Sequence, residues 1–154
     1  MTVRLEPVTR DDVRPLFDLK VAPEDQTFVA PNEKTLAQAP YETGACVFVI
    51  WAGNTRAGLI ALLDFAEHEY LEENDDPQSA FVWRLMIADE FQGQGYGTMA
   101  LDLACEWARN RGRPRMFIQA VTTNHDAISL YERCGFVRTG VVSDGEAQLV
   151  KSLI

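Results

Sequence analysis

A glycine-rich turn carries the clearest chemical signal in the sequence. Residues 92–98, QGQGYGT, lie between an apolar segment at 80–88 and a segment with helical periodicity. Glycine lets the backbone approach a ligand closely, and the first turn of a helix presents unpaired N–H groups with a partial positive charge. This combination predicts a binding site for an anion such as a phosphate, with a purely structural turn as the alternative for this segment alone.

Two common phosphate-binding motifs do not match this turn. A Walker A loop requires a Gly-Lys-Ser/Thr sequence, which does not follow the glycines. A dinucleotide-binding turn requires a first βαβ unit with a ribose-binding acid, and no such unit is evident. A nucleoside triphosphate and NAD are therefore disfavoured as ligands.

A run of acidic residues is the second feature with chemical potential. Residues 67–78, EHEYLEENDDPQ, contain six Asp or Glu residues and no Lys or Arg. So dense a negative charge cannot be part of a hydrophobic core. The run is either a solvated acidic loop or the rim of a site for cations.

The elements that position these two features follow from the hydrophobic pattern. Alternating or continuous apolar segments predict strands at 2–8, 46–51, 58–65, 80–88, 116–121, 135–142 and 146–154. Capping residues and helical periodicity predict four helices, one beginning after Thr9 and ending near Lys20, one capped by Asn32 and ending near Ala39, one from the glycine turn to before Gly112, and one capped by Thr123 or Asn124 and ending near Arg133. No repeat, low-complexity segment or linker interrupts the pattern, so residues 1–154 are predicted to form a single domain.

Composition and charge narrow the class of partner. The 154 residues include 14 Lys plus Arg against 23 Asp plus Glu, a formal net charge of −9. Such a charge disfavours nucleic acid and acidic membrane surfaces as partners. The excess is uneven, because residues 1–77 contain 6 basic and 15 acidic residues whereas residues 78–154 contain 8 of each. The sequence thus places an anion-binding turn in its neutral half and an acidic run in its negative half.

Export, membrane insertion and metal binding are not indicated. The N-terminus has no apolar signal region, and the longest apolar run, ACVFVIWA at 45–52, is too short to span a bilayer, so we expect a cytoplasmic protein. Cys46, Cys105 and Cys134 form no CxxC spacing and are predicted to be buried, reduced thiols. The two histidines lie far apart and match no metal-binding spacing, so we expect no metal.

The glycine turn belongs to a longer pattern. Gln92-x-x-Gly95-x-Gly97 resembles the acetyl-coenzyme A pyrophosphate motif, (Arg/Gln)-x-x-Gly-x-(Gly/Ala), of the GNAT N-acetyltransferase superfamily. Residues 124–136, NHDAISLYERCGF, resemble the second motif of that superfamily, Asn-x-x-Ala-x-x-(Leu)-Tyr-x-x-x-Gly-Phe. Both motifs occur in the expected order and spacing, and by this resemblance the sequence is identified as a member of the superfamily.

A narrower resemblance covers most of the chain. The segments FVAPN at 28–32, AQA at 37–39 with YE at 41–42, WRLMI at 83–87, and TG at 139–140 with DGE at 144–146 are similar to bacterial spermidine/spermine and diamine N-acetyltransferases. The acidic run at 67–78 departs from that subgroup, in which a shorter connection is expected.

The resemblance implies an α/β (α+β) fold with a single domain. Its central sheet would be mixed but mostly antiparallel, with six to seven strands and about four flanking helices. The strands at 81–87 and 116–121 would splay apart in a V, and acetyl-coenzyme A would lie in the resulting cleft. The backbone of Met86 and Ile87 would hold the pantetheine arm, and the Met86 amide would polarise the thioester carbonyl. The residues expected at the pyrophosphate are Gln92, Gly93, Gln94, Gly95, Gly97 and Thr98.

Two residues of the second motif are expected at the cofactor. Asn124 would cap the following helix and contact the cofactor arm. Tyr131 would be the general acid that protonates the departing thiolate, with a tyrosine packed on the core as the alternative. Transfer from a tyrosine near pKa 10 to a thiol near pKa 8.5 is uphill by about 2 kcal/mol, so the site must assist by positioning or electrostatics.

The implied acceptor is a primary amine, above all a polyamine or diamine such as spermidine, attacking directly in a ternary complex. An alkyl ammonium with a pKa near 10.4 is neutral in about one molecule in 2,500 at pH 7, which costs about 4.6 kcal/mol. Because carboxylates stabilise the unreactive cation, we expect acids to hold the distal amines while the reacting nitrogen lies in a less polar place. The candidates for holding the substrate are Glu24, Asp25, Glu33, Glu42, Asp64 and the acids of 67–76, with Trp83 as an aromatic face. None of them stands out as the general base.

Two alternatives remain from the sequence. The acceptor is another amine, such as an aminoglycoside, an amino acid or a protein N-terminus, or the chain is a non-catalytic acetyl-coenzyme A-binding module. Members of the superfamily commonly pair through their C-terminal strands, so a homodimer is also an expectation.

Overall fold

The apolar and alternating segments form one sheet in the computed structural model, which describes residues 2–154. Its seven strands are β1 (Val3–Pro7), β2 (Ala45–Ala52), β3 (Thr55–Asp64), β4 (Ala80–Ile87), β5 (Arg115–Val121), β6 (Val137–Ser143) and β7 (Glu146–Ser152). The four α-helices are α1 (Arg10–Asp18), α2 (Asn32–Gln38), α3 (Tyr96–Asn110) and α4 (His125–Arg133). Three short 3-10 turns occur at Pro23–Asp25, Ala39–Tyr41 and Asp89–Phe91.

The sheet is mixed and mostly antiparallel. The strands lie in the order β1-β2-β3-β4-β5-β7-β6, and of these neighbours only β4 and β5 run parallel. The predicted fold class is therefore confirmed. A consequence of this order is that β7, although last in the chain, lies between β5 and β6 rather than at the edge of the sheet.

The parallel pair at the centre separates soon after it begins. Residues 80–82 of β4 pair with residues 116–118 of β5, and no further pair joins the two strands in the described chain. The remaining five residues of β4, at 83–87, therefore diverge from β5. This divergence confirms the predicted V-shaped splay.

Helices cover both faces of the sheet. On one face α3 and α4 pack over a cluster that includes Leu101, Met116, Ile118 and Phe136. On the other face α1 and α2 pack over Leu16, Val49 and Leu59. Because both faces are covered, the central strands are apolar on both sides, as their sequences predict.

The N-terminal ends of two helices show how far capping signals could be read. Thr9 precedes α1, and its N–H donates to Asp12 Oδ2 at 2.8 Å, as the sequence predicts. The predicted cap at Asn32 is wrong, because Pro31 is the N-cap and Asn32 is the first residue of α2. The buried Asn32 amide instead donates to the Leu16 carbonyl at 2.9 Å, near the end of α1. Satisfying a buried carbonyl of α1 thus takes precedence over capping its own helix.

The cysteines match their prediction in part. All three are free thiols, but only Cys105 is buried, whereas Cys46 and Cys134 are half-buried. Burial raises the pKa of the Cys46 and Cys105 thiols above the ordinary value. Among the described helices, none combines the length and the apolar character that a membrane crossing requires.

Candidate active site

The glycine turn leads directly into the longest helix. Gly93 and Gly95 adopt left-handed backbone conformations, with φ of 76° and 82°, and Gly95 is the N-cap of α3. A Cβ built on Gly93 would meet no atom within 4 Å, so the turn faces open space. The N-terminal amides of a 15-residue helix are therefore accessible to an anion at this point.

Gln92 connects this turn to the end of β4. Its side-chain amide donates to the Ile87 carbonyl at 2.7 Å. The side-chain amide of Gln92 is thus hydrogen-bonded to the protein backbone, and this bond positions the glycines that follow. Gln94, Gly97 and Thr98 lie along the same turn, where Gln94 and Thr98 are exposed and Gly97 is half-buried against Leu130.

The backbone of β4 shows which amides face the splay. Ala88 N–H donates to Ala57 of β3 at 2.9 Å, and a Cβ on Gly58 of β3 would lie 2.1 Å from the Met86 carbonyl oxygen. Even-numbered residues at this end of β4 therefore direct their polar groups toward β3. In an extended strand the N–H and C=O of one residue point to the same edge, and the edges alternate along the strand. The amides that face the splay are then those of Leu85 and Ile87, and the expectation for the Met86 amide is not supported by this geometry.

A cleft of about 400 Å³ opens in the splay. It is lined by the diverging strands and by α4. Among the predicted or newly assigned cofactor residues it includes Leu85, Met86, Ile87, Gln92, Gly97, Asn124 and Tyr131, whereas the remaining predicted turn residues do not line it. The structure thus brings the glycine turn and the second motif to one place. The side-chain Oδ1 of Asn124 accepts from Ala127 N–H at 3.3 Å, so Asn124 is a helix cap at the edge of this cleft.

Tyr131 lies deep in the cleft. Only 8% of its surface is exposed, and its ring lies 6.3 Å from the ring of Phe136. Burial raises the pKa of Tyr131 to about 12, with smaller contributions from Cys134 and Glu146. The hydroxyl is therefore protonated at neutral pH and is available as a proton donor.

A second cavity, of about 340 Å³, adjoins the cleft and is called here the acidic pocket. Its wall contains four carboxylates, those of Glu42, Glu72, Asp75 and Glu146, and one guanidinium, that of Arg84. Its other lining residues are mostly aromatic rings and are Phe65, His68, Tyr70, Phe81, Trp83, Leu63 and Gln119. Cationic, partly apolar ligands suit such a combination of negative charge and ring faces.

The aromatic wall is an ordered cluster. The rings of Phe65 and Phe81 stack with centroids 5.3 Å apart, and His68 lies edge-on to Tyr70 at 5.8 Å. His68 Nδ1 contacts the Thr43 carbonyl at 2.8 Å, and its Nε2 lies 3.8 Å from Glu42. These contacts hold part of the 67–78 run against the rest of the pocket.

Four residues border both the cleft and the acidic pocket: Trp83, Arg84, Gln119 and Glu146. Arg84 donates to Thr35 Oγ1 at 2.9 Å and to Gln38 Oε1 at 3.0 Å, and its guanidinium lies 4.5 Å from the Trp83 ring centroid. Burial lowers the pKa of Arg84, an effect that the nearby Glu146 opposes. Burial likewise raises the pKa of Glu146 above the usual range for a glutamate.

The predicted substrate residues are distributed among different places. Glu42 and Trp83 line the acidic pocket, and Asp25 lines the cleft. Glu33 borders a separate cavity of about 310 Å³ beside Met86, and Glu24 is exposed.

Asp64 lies outside both the cleft and the acidic pocket. It is fully buried and ion-paired with Arg111 at 3.1 Å and Arg113 at 2.8 Å. Two guanidinium groups neutralise this carboxylate within the fold, so the structure does not bring it to a ligand.

The acidic run divides into two groups. Glu72 and Asp75 line the acidic pocket, whereas Glu67 lies 3.5 Å from Arg111 and Asp76 pairs with Arg115 at 2.6 Å. Glu69 and Glu73 are exposed. The run is thus a solvated loop in part and a pocket wall in part.

Sequence reasoning did not assign Leu85, Arg84, Gln119 or Glu146. Arg84 had a recognisable signal, because it is the only charged residue within the apolar segment 80–88. Glu146 had no such signal in the sequence, because its position at the cleft depends on the pairing of β7 with β5. No group of three or more metal-ligating side chains occurs within residues 2–154.

Comparison with known proteins identifies related sequences and folds. A family model described as Acetyltransferase (GNAT) family matches residues 9–136. The spermine/spermidine N(1)-acetyltransferase of Bacillus subtilis is 27% identical over 158 residues, which cover 99% of this chain and 100% of that protein. The uncharacterized N-acetyltransferase YobR of the same organism is 42% identical over 52 residues, which are 34% of this chain. The chain spans 21% of the length of YobR and 65% of that of another such relative, YvbK.

Solved structures show the same fold. AAC(6')-Ib, in complex with ribostamycin and coenzyme A, has a TM-score of 0.79 at 20% identity, with 99% of this chain and 94% of that chain covered. A spermidine N-acetyltransferase SpeG chimera from Vibrio cholerae and hSSAT has a TM-score of 0.72 at 20% identity, with 99% and 96% covered.

Proposed function

The chain belongs to the acetyltransferase (GNAT) family, and from this premise we propose that it transfers the acetyl group of acetyl-coenzyme A to a primary amine of a diamine or polyamine such as spermidine. One observation carries the proposal. A cleft lined by Gln92 and Gly97 of the glycine turn and by Tyr131 meets an acidic, aromatic pocket at four shared residues. The first cavity suits an anionic cosubstrate, and the second suits a cationic acceptor.

The residues of the cleft fit acetyl-coenzyme A. The open turn at Gly93 and Gly95 leaves room for a pyrophosphate beside the amides that begin α3. The free edge of β4 offers the N–H groups of Leu85 and Ile87 and the Leu85 carbonyl to an extended pantetheine arm, since the Ile87 carbonyl already accepts from Gln92. One of these amides would donate to the thioester carbonyl oxygen, where negative charge develops during attack.

Tyr131 fits the role of the acid that donates a proton to the departing thiolate. Its pKa of about 12 exceeds the pKa of a free thiol by more than the pKa of an ordinary tyrosine does. Burial disfavours the thiolate as it disfavours the tyrosinate, so the pKa of a thiol bound in the same cleft also rises. The rise in the pKa of the thiol offsets part of the rise in the pKa of Tyr131, and the protonated phenol is present throughout the neutral range.

The acidic pocket supports a substrate with more than one cationic nitrogen. Glu42, Glu72 and Asp75 line this pocket but do not line the cleft. They are placed to hold a distal ammonium while the other end of the substrate extends toward the thioester. The full-length similarity to a spermine/spermidine N(1)-acetyltransferase supports the same substrate class.

Thiol release from acetyl-coenzyme A across a panel of amines tests this proposal. The panel contains spermidine, spermine, a diamine, an aminoglycoside, an amino acid and a peptide with a free N-terminus. We expect kcat/KM to be highest for the diamine or polyamines. A higher value for another class would replace the substrate, and coenzyme A binding without thiol release for any amine would indicate a non-catalytic module.

Other expectations remain predictions. They are assembly as a homodimer, location in the cytoplasm, and the absence of nucleic-acid, membrane and metal partners. Sedimentation velocity measures the first of these directly.

A further inference from the structure

Glu146 occupies a special position in the sheet. It is the first residue of β7 and is paired with Val121 of β5 and Ser143 of β6. It is also the only carboxylate among the described residues that borders both the cleft and the acidic pocket. An acceptor nitrogen that passes from the pocket to a thioester in the cleft must therefore pass this carboxylate.

Arg84 lies at the same junction. It borders both cavities, and its guanidinium donates side-chain hydrogen bonds to Thr35 and Gln38 rather than to Glu146. Its positive charge is thus held in place by α2 while the Glu146 carboxylate stays available. A fixed cation disfavours a second cation nearby and lowers the pKa of an ammonium placed there.

Resting on the function proposed above, we propose that Glu146 is the general base that removes a proton from the reacting ammonium, and that Arg84 favours this loss by repelling the ammonium charge. The acids Glu42, Glu72 and Asp75 then serve the opposite end of the substrate, where a retained charge contributes to binding. The acidic pocket thus has one end that holds the distal ammonium and another end, at Glu146, where the reacting nitrogen loses its proton.

The step balances in atoms and charge. One N–H bond of the ammonium breaks and an O–H bond forms on Glu146, which leaves a neutral amine. Its lone pair forms the C–N bond at the thioester carbon, the tetrahedral adduct collapses with cleavage of the C–S bond, and the leaving sulfur takes the Tyr131 proton. The nitrogen loses its second proton as the amide forms, which restores Tyr131, and the proton on Glu146 leaves to water.

Other titratable groups are less well placed. His68, Glu42, Glu72 and Asp75 line only the acidic pocket, and Asp25 and Asp126 line only the cleft. The charged or titratable neighbours that act on Glu146 or respond to it are Arg84 from β4, Asp144 from the preceding turn and Tyr131 from α4. Burial raises the pKa of Glu146, which brings its proton affinity closer to that of an ammonium.

The decisive variant is Glu146→Gln, with Glu106→Gln on the exposed face of α3 as the matched control. Wild type and control should show a kcat/KM for spermidine that falls only below the pKa of Glu146. We expect Glu146→Gln to lose activity about 100-fold or more at pH 7. Its log kcat/KM should then rise by about one per pH unit toward the pKa of the amine, near 10.4, because only the free amine reacts. Coenzyme A affinity and melting temperature confirm that the variant is folded.

A weakly basic amine provides a rescue. When the pKa of its ammonium lies below the assay pH, the amine is already neutral, and the defect of Glu146→Gln should shrink to less than about tenfold. A defect that persists at full size on this substrate would overturn the assignment of Glu146 as a base.

A second variant tests the same assignment without removing the carboxylate. Because Arg84 lowers the pKa of Glu146, Arg84→Gln should raise that pKa and move the acid limb of kcat/KM to higher pH. An unmoved limb, or a wild-type profile in Glu146→Gln, would overturn the inference while leaving the acetyltransferase proposal intact. Wild-type protein that binds coenzyme A but acetylates no amine would overturn both.

Discussion

Tyr131 illustrates how burial defines the chemistry of a single residue. The sequence motif gives its position, but the raised pKa follows from its burial on the inner face of α4, beside Phe136. At neutral pH a phenol in such a place is a proton donor rather than a base.

Tyr131→Phe should therefore lower kcat while coenzyme A binding stays nearly unchanged. General acid catalysis contributes about 100-fold or more, and the ring itself remains in place. Steady-state kinetics with spermidine, together with calorimetric titration of coenzyme A, measure the two effects. A full wild-type kcat would remove Tyr131 from the proposed mechanism.

The same side chain has a consequence for alkaline stability. The folded-state pKa of about 12 exceeds the unfolded value of about 10, so the associated stability is fully present below pH 10 and is lost as the pH rises toward 12. Denaturant unfolding between pH 9 and 11.5 should show a steeper loss for wild type than for Tyr131→Phe. Parallel curves would contradict the burial of the phenol.

Individual residues also show what the sequence could not reveal. Asp64 ranked among the substrate candidates because acids were expected to hold the distal amines of the substrate. Its partners Arg111 and Arg113 lie 47 and 49 positions away, and no local pattern connects them. Glu146 was part of a recognised segment, but its proposed function depends on a strand order that places the last strand beside β5.

At the scale of elements, β3 and β4 approach unusually closely at Gly58. A Cβ at this position would lie 2.1 Å from the Met86 oxygen and 3.1 Å from the Met86 carbonyl carbon. Both atoms belong to the backbone, so only a displacement of β4 would relieve the clash.

Gly58→Ala should destabilise the protein by about 3 kcal/mol and weaken coenzyme A binding, because β4 forms the wall of the cleft. Gly140→Ala is a suitable control, since its φ is 92° and a Cβ there would meet no atom within 4 Å. The control should lose about 1 kcal/mol through backbone strain alone and retain coenzyme A affinity. Equal effects in both variants would argue against a steric cause.

The Asp64 cluster joins β3 to the chain that follows α3. Asp64→Asn removes a buried charge from between two arginines and should cost about 3 kcal/mol. Glu6→Gln, in an exposed pair with Arg4, should cost less than about 1 kcal/mol. Urea unfolding gives both values. The KM for spermidine should not change in Asp64→Asn well below its melting temperature, and a large increase would return Asp64 to the substrate site.

The elements themselves were largely predictable from the sequence. Each predicted strand and helix is present, because apolar periodicity and local caps determine them over short distances. The cap at Asn32 was mistaken because its competing partner, the Leu16 carbonyl, is brought close only by the packing of α1 on α2. Local signals thus predicted the elements, while contacts between elements decided how polar side chains are used.

On the scale of the whole molecule, the uneven charge corresponds to two different binding surfaces. The neutral half supplies backbone amides for an anion, and acids of the first half line much of the acidic pocket, together with Glu146 from the second. Cavity lining, rather than total charge, determines which of these acids act on a substrate.

Neutralising the lining acids should therefore differ from neutralising their neighbours. Glu72→Gln with Asp75→Asn should raise the KM for spermidine several-fold and weaken its dependence on salt. Glu69→Gln with Glu73→Gln removes the same charge from the same loop, but neither of these residues lines the acidic pocket. Kinetics at low and high ionic strength should leave this control close to wild type. Equal shifts in both pairs would mean that only the general field of the loop matters.

The early separation of β4 from β5 has a mechanical consequence. In the described chain, only three residue pairs between β4 and β5 join the four strands β1 to β4 to the three strands β5, β7 and β6. Beyond these three pairs, the two groups of strands are held together by the helices that pack across them and by any extended molecule that binds between them. A bound cosubstrate would take the place of an eighth strand, so its binding free energy would also hold the two halves of the sheet together.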